Sequence, residues 1–187
     1  MNTDDIVLTV IDFLNEHDLP YMIVGSLATN FYCVPRSTEG GDVVVEPSIV
    51  SIAQQITQAN THVRFDPQLT FESVTATRKV VLRTSEHNFE IELFQLSDDE
   101  HDQARFKRRI LVETMGRKVW IASLEDMIVT KLRWSQHAGR EKDISDARNL
   151  IGVQSDRVDW PYVESWCDRH GTRELLERLR REAVLPG

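Results

Sequence analysis

Residues 23–47, "IVGSLATNFYCVPRSTEGGDVVVEP", form the stretch that decides the predicted fold. An apolar run ends at Gly25-Ser26, which predicts a buried strand that turns directly into a short helix. A second strand begins near Asp42 and continues as three valines. Because strand residues two apart face the same side, Asp42 shares its face with position 40, which is a glycine. The stretch therefore raises the question of a metal site with one ligand missing.

The segments around this stretch predict an α/β (α+β) fold with a mixed sheet flanked by helices. Apolar residues at helical spacing predict helices at 4–17 and 48–59, the second with Ser48 as its N-cap. Residues 78–96 predict two strands joined by a turn near 86–88, and residues 110–123 predict a hairpin that turns at 115–116.

The C-terminal third of the chain predicts helices only. Ser123 and Asp126 resemble a capping box, and apolar residues follow at helical spacing. Further helices are expected near 141–151 and 160–170, and from Thr172 onward. We therefore expect a sheet domain over residues 1–122 and a helical part over residues 123–187 packed on it.

Composition places the chain in the ordinary range for a globular protein of this size. It has 187 residues, a formal net charge of −8 and an acidic N-terminus, and no apolar run approaches the roughly 20 residues that span a bilayer. We expect a cytoplasmic protein without a membrane partner. The acidic balance argues against a nucleic-acid coat, although residues 105–118 concentrate basic side chains. We expect this basic segment to face solvent, and a local basic groove is the alternative.

Acidic residues on two predicted strands suggest a site for a hard cation. Asp42 lies on one strand, and Glu90 and Glu92 share a face of another. If the strands are neighbours, their carboxylates could converge on Mg²⁺, which prefers oxygen ligands. Gly25-Ser26 at a helix N-terminus would then offer N–H groups and a hydroxyl to phosphate. The structural alternative is that Gly25 permits a tight turn and Ser26 caps the helix.

The combination of these motifs resembles the nucleotidyltransferase superfamily, which has the polymerase-β-like fold, and in particular the small bacterial AbiEii-like and minimal nucleotidyltransferase proteins. The family pattern runs G-G/S-x-A, then R-x-T-x-D-x-D, then a third acidic residue on a later strand. The matching positions are Gly25, Ser26, Ala28, Arg36, Thr38, Gly40, Asp42 and Glu92.

The resemblance continues into the C-terminal helices and covers roughly residues 5–151. In the family, a lysine reaches nucleotide phosphate and is followed by an Arg/Lys-Asp-x-x-Asp helix. Lys131 matches the lysine, and Lys142, Asp143 and Asp146 match the helix. The alternatives are that Lys131 is a solvated helix lysine and that the two aspartates stabilise the N-terminus of their helix.

The resemblance implies metal-dependent transfer of a nucleoside monophosphate from a nucleoside triphosphate to a hydroxyl on a small molecule, RNA or protein. Asp42 and Glu92 would be catalytic and would hold Mg²⁺, with Glu90 as a substitute ligand. The nucleotide would bind through Gly25, Ser26, Arg36, Thr38 and Lys131.

Gly40 departs from the family pattern, since it stands where the first metal carboxylate is expected. The alternative function is therefore a degenerate, non-catalytic relative that binds a nucleotide or a protein partner, with a toxin–antitoxin component as a further role that the resemblance permits. Gly40→Asp would rebuild the metal site if the residue is only a missing ligand. It would instead destabilise the loop if Gly40 has a positive φ that glycine alone tolerates.

Overall fold

The computed structural model describes residues 3–72, 74–84, 88–114, 116–138 and 141–184. The chain divides into two compact units. The first, here the sheet unit, comprises Met1–Leu27 and Ser37–Ile121. The second, the helical unit, comprises Ala28–Arg36 and Ala122–Gly187.

The sheet unit contains a mixed sheet of seven strands in the order β3-β4-β5-β2-β1-β7-β6. Four pairs of sequential strands are antiparallel: β1 with β2, β3 with β4, β4 with β5 and β6 with β7. The pairs β2–β5 and β1–β7 are parallel. The strands are β1 (Tyr21–Val24), β2 (Gly40–Val45), β3 (Val63–Phe71), β4 (Arg78–Thr84), β5 (Glu90–Gln95), β6 (Ile110–Thr114) and β7 (Arg117–Ile121).

The two faces of the sheet differ in polarity, as the two-residue period of strands requires. On β2 and β5 the alternate residues Val43, Ile91 and Leu93 are at most 2% exposed and form part of the core. Asp42 and Glu92 lie on the opposite face and are half-buried. Helix α3 packs on β3, β4 and β5.

Eight α-helices complete the fold in the described part of the chain. They are α1 (Thr3–Glu16), α2 (Gly25–Tyr32), α3 (Ile49–Ala59), α4 (Glu100–Lys107), α5 (Leu124–Ala138), α6 (Glu141–Gln154), α7 (Trp160–His170) and α8 (Arg173–Val184). In the helical unit, α5 packs on α6 and α7, and α8 packs on α6 and α7. No helix in the described ranges is long and apolar enough to cross a membrane.

The expected α/β class and the mixed sheet with a helical C-terminal part are confirmed. The strands predicted on either side of Asp42 are neighbours, because β2 lies between β1 and β5. Residues 86 and 87 of the turn predicted near 86–88, and Met115 of the second predicted turn, lie outside the described residues.

The predicted N-cap of α5 is observed, and that of α3 is not. Ser123 Oγ accepts a hydrogen bond from Asp126 N at 3.2 Å and donates to Asp126 Oδ2 at 2.7 Å, so this pair caps α5. Ser48 occupies the N-cap position of α3, but its side chain makes no capping hydrogen bond.

Candidate functional site

The turn between β1 and α2 is a tight strand-to-helix turn built on Gly25. Gly25 has a φ of +61°, in the left-handed region that favours glycine. A Cβ placed on Gly25 would lie only 1.8 Å from Asp42 Oδ2, so a side chain is excluded by space as well as by backbone conformation. Ser26, which is 7% exposed, follows in the first turn of α2. The N–H groups of a helix N-terminus favour an anion here.

The two predicted metal ligands Asp42 and Glu92 lie on one face of neighbouring strands. In the parallel pair β2–β5, Asp42 is the register partner of Glu92, and Gly40 is the partner of Glu90. Partners in register point to the same side of a sheet. The sequence therefore placed these acidic positions together correctly, and the geometry brings Asp42, Glu92 and the Gly25 turn to one end of this face.

A lysine on the neighbouring strand β4, whose role the sequence does not predict, binds the carboxylate of Glu92. Lys79 on β4 donates from Nζ to Glu92 Oε1 at 2.5 Å. The same ammonium lies 5.6 Å from the centroid of the Phe94 ring, within the range of a cation–π contact. The side chains of Lys79 and Glu92 are 24% and 28% exposed, so the pair is partly shielded from water.

Glu90, the expected substitute ligand, is also paired with a cation. Arg83 on β4 is its register partner and donates from Nε to Glu90 Oε1 at 2.6 Å. Arg83 Nη1 also lies 3.7 Å from Asp66 Oδ2 on β3. These two cations on β4 thus alternate with the acidic residues of β5 across the polar face.

The neighbouring strand β5 leaves no space for a side chain at Gly40. A Cβ on this residue would lie 2.9 Å from the backbone oxygen of Glu90, closer than Cβ atoms approach such an atom in practice. The φ of Gly40 is not in the left-handed region, where the glycines of this chain are Gly25, Gly116 and Gly171 among the described residues. The alternative that Gly40 has a positive φ is therefore wrong. The obstacle to Gly40→Asp is the close pairing of β2 with β5.

The hydroxyl of Thr38, a predicted nucleotide contact, shapes the loop before β2. Thr38 Oγ1 donates to the backbone oxygen of Gly40 at 2.8 Å and lies 3.4 Å from the Gly40 nitrogen. Side-chain hydrogen bonds of this local kind stabilise turns. A nucleotide-binding role for Thr38 stays a prediction.

In the helical unit, Lys131 is almost fully buried and is bound by two carboxylates. Its Nζ lies 2.8 Å from Asp143 Oδ1 and 2.8 Å from Asp146 Oδ2. Asp146 also accepts two hydrogen bonds from Arg36 Nη2, at 3.0 Å each. Lys131, Asp143, Asp146 and Arg36 are called the buried quartet below, after the three buried members; the side chain of Arg36 is 36% exposed. They are joined in a network of two cations and two anions within one unit.

The quartet also affects a neighbouring thiol. Burial, and secondly the negative charge of Asp146, raise the pKa of the Cys33 thiol above its ordinary value. The nucleotide-binding roles predicted for Arg36 and Lys131 stay predictions, since both are engaged with carboxylates of their own unit.

The sequence contains a signal for the cations of β4 but does not identify their partners. Lys79 and Arg83 are four residues apart on a strand whose hairpin partner carries Glu90 and Glu92. Opposite charges that alternate on two antiparallel strands predict cross-strand pairs. The register of the hairpin is the missing information, because a shift by one residue would turn every side chain to the other face.

The side chains of this polar face do not fit a two-metal site as they are paired. Gly40 supplies no ligand, and Lys79 and Arg83 compete with any cation for the carboxylates of Glu92 and Glu90. Among the described residues, no group of three or more His, Cys, Asp or Glu side chains could hold a metal ion. Two-metal catalysis requires a cage of such ligands around both ions.

Comparison with solved structures shows the fold to be that of nucleotidyltransferases. The solution structure of ANT(2'')-Ia, an antibiotic-resistance factor, matches with a TM-score of 0.61 and 14% identity, over 97% of this chain and 99% of that one. An antigenic nucleotidyltransferase-like protein from Paracoccidioides brasiliensis matches with a TM-score of 0.59 and 17% identity, over 96% and 92%. A crystal structure of ANT(2'')-Ia with adenylyl-2''-tobramycin matches with a TM-score of 0.60 and 16% identity, over 91% and 97%.

No protein-family model matches this sequence, and no curated protein matches it. Identities of 14% to 17% over nearly whole chains show a shared fold, which the motifs had predicted. Fold alone does not fix an activity, so function has to be argued from the side chains of the site.

Proposed function

We propose that this protein binds a nucleoside triphosphate at the Gly25-Ser26 turn and does not transfer its nucleotidyl group. The observation that carries the proposal is that the acidic face lacks one carboxylate, at Gly40, and that two others are paired with cations of β4. Gly25 has the left-handed φ of a tight strand-to-helix turn, whereas Gly40 lacks the carboxylate, and Glu90 and Glu92 are paired with Arg83 and Lys79 of the chain itself.

Nucleotide binding is supported by the chemistry of the turn. A left-handed glycine and a serine stand at the N-terminus of α2, where backbone N–H groups and the positive end of the helix dipole favour an anion. Each of these groups favours a phosphate oxygen. The shared fold supports nucleotide binding, since the structural neighbours are nucleotidyltransferases and one of them was solved with adenylyl-2''-tobramycin.

Loss of transfer is supported by the strand pairing. Transfer of a nucleotidyl group requires ions that neutralise the phosphates and align the nucleophile with the leaving group. An aspartate at position 40 cannot be accommodated unless β5 moves, because the Glu90 backbone oxygen occupies the necessary space. The close pairing of β2 with β5 therefore accommodates a glycine at position 40 but no side chain.

The test is a calorimetric titration of the protein with ATP and GTP, with Ser26→Ala as the variant. We expect saturable binding to wild type, and roughly tenfold weaker binding to Ser26→Ala because a hydrogen bond to a charged phosphate is lost. Thermal melting shows whether the variant is folded. No binding of either nucleotide to wild type would contradict the proposal.

Metal-dependent transfer to a hydroxyl acceptor is the second candidate, and the register of Asp42 with Glu92 favours it. Incubation with α-labelled nucleoside triphosphates, Mg²⁺ and mixed small-molecule, RNA and protein acceptors separates the two candidates. We expect no labelled acceptor. Labelling that Asp42→Asn abolishes would establish the transferase instead. Binding of a protein partner, including a role in a toxin–antitoxin pair, stays a prediction from the resemblance.

A further inference from the structure

The sheet ends in two edge strands, β3 and β6, which differ in how open they are to further pairing. Strand β3 contains Pro67, and its register with β4 is interrupted between Asp66 and Thr70. Proline and irregular register are features by which edge strands avoid pairing with another chain. Strand β6, with the sequence ILVET, has no proline and pairs with β7 in unbroken register over its whole length. It is therefore the edge to which a further strand can be added.

The outer side of β6 is unoccupied in the part of the chain that the structure describes. There, the residues of β6 make no hydrogen bond beyond their ladder with β7. An edge strand of this kind presents a row of unpaired backbone N–H and C=O groups. Two large apolar residues of the strand, Ile110 and Leu111, are 38% and 47% exposed. The edge thus offers both hydrogen-bonding groups and apolar surface to a partner.

Opposite charges stand at the two ends of this edge. Arg109 precedes β6 and Glu113 lies near its end, and neither forms an ion pair with any described residue. The Arg109 guanidinium lies 4.3 Å and 4.9 Å from the ring centroids of Phe106 and Trp120, and Nη1 donates to the Phe106 backbone oxygen at 2.6 Å. Because Trp120 is the register partner of Leu111, this guanidinium lies on the same face as Leu111 and Glu113.

We propose that β6 pairs antiparallel with β6 of a second copy of this chain, centred on Leu111, so that the two sheets join. In this register Leu111 faces the partner's Leu111. Ile110 faces the partner's Val112, and Arg109 faces the partner's Glu113, and twofold symmetry repeats both pairs. Aliphatic pairs and pairs of opposite charge stabilise antiparallel strands. This pairing does not depend on nucleotide binding.

The pattern of the edge favours a second copy and this register. A twofold interface has to be self-complementary, and the charges and apolar residues of β6 match their own reversed order about Leu111. Centring the pair on Val112 would instead set Leu111 against the partner's Glu113 and Ile110 against the partner's Thr114. That register opposes apolar with polar residues and leaves the charges unmatched.

The first test is sedimentation velocity of wild type, Glu113→Lys and Glu174→Lys at increasing protein concentration. A five-residue edge buries little surface, so we expect a weak wild-type dimer with a dissociation constant on the order of 10 μM. Glu113→Lys should raise this constant roughly tenfold, because two opposite-charge pairs become like-charge pairs. Glu174 is exposed on α8, and its variant controls for the change in charge.

The second test is disulfide cross-linking, which reports the register. Leu111→Cys and Glu113→Cys are compared in a Cys33→Ser background, because Cys33 is the partly exposed natural cysteine. At the symmetry axis the two Cα atoms of position 111 would lie about 4.5–5.5 Å apart, within the range of a disulfide. The two copies of position 113 would be separated by roughly 14 Å along the strands, which a disulfide cannot span. We expect cross-linked dimer from Leu111→Cys only.

Three results would overturn the proposal. The first is a wild-type protein that stays monomeric at roughly 100 μM, ten times the expected dissociation constant. The second is a dimer that folded Glu113→Lys forms as readily as wild type. The third is cross-linking of Glu113→Cys in place of Leu111→Cys, which would show another register. Thermal melting establishes that each variant is folded, as substitutions at exposed positions lead us to expect.

Discussion

At the scale of single residues, Gly40 lacks a metal ligand, and the close pairing of β2 with β5 also leaves no space for one. The family pattern predicts a carboxylate at this position, and the simple expectation is that Gly40→Asp restores it. The Glu90 backbone oxygen, 2.9 Å from the place of a Cβ, makes that restoration costly. A residue two positions from Asp42 is thus constrained by its neighbour strand, which a pattern of residue types along one strand cannot reveal.

We predict that Gly40→Ala and Gly40→Asp both lower the free energy of unfolding, by roughly 1–3 kcal/mol, since each forces the same backbone contact apart. Urea denaturation measures the change. The alanine variant is the matched control, because it adds the Cβ without the carboxylate. A Gly40→Asp protein as stable as wild type that also gains magnesium-dependent transfer would show that the site lacks only a ligand.

At the scale of elements, the strands that carry the site were predictable and two other elements were not. The apolar runs of β1, β2 and β5 identify buried strands, and the motif spacing makes them neighbours. Strand β3 was missed because most of it is exposed and it contains Pro67, which indicates a turn or an edge. Helix α4 was missed because polar residues such as His101 form much of its buried side.

In the basic segment 105–118, as in α4, a charged residue is buried where the sequence predicts exposure. It was expected to face solvent, and this is wrong for its first residue. Arg105 is 3% exposed and lies 2.8 Å from Asp102, which is itself buried. Charge along a sequence indicates solvent only on average, and a buried ion pair reverses the rule.

We predict that the buried quartet stabilises the packing of α5 on α6. Lys131→Met should lower the free energy of unfolding by about 3–5 kcal/mol, because two buried carboxylates lose their shared cation. A double-mutant cycle with Asp143→Asn measures the coupling. The two changes should be non-additive by at least about 0.5 kcal/mol, as expected for residues in contact.

Additive effects in that cycle would mean that Lys131 and Asp143 do not stabilise one another. The same Lys131→Met protein, if folded, also tests the sequence-based role of Lys131 in nucleotide binding. Weaker ATP binding without loss of stability would favour that role. Loss of stability with unchanged ATP affinity would assign the lysine to the helical unit alone.

At the scale of the whole molecule, the fold is shared with solved structures of very different sequence. Coverage of 97% of this chain by a nucleotidyltransferase fold at 14% identity shows how little sequence the architecture requires. The strands need only apolar residues on one side, whereas catalysis needs particular carboxylates on the other. The motif could therefore predict the fold from the sequence, but the ion pairs of the polar face required the register of the sheet.

The most direct test of the central claim, that the acidic face is not a two-metal site, is a titration with Mn²⁺ followed by electron paramagnetic resonance. This measurement needs no knowledge of the acceptor. Wild type and Asp42→Asn should bind Mn²⁺ alike, both without nucleotide and with ATP, because Lys79 and Arg83 already neutralise the neighbouring carboxylates. Saturable Mn²⁺ binding to wild type that Asp42→Asn removes would contradict the account.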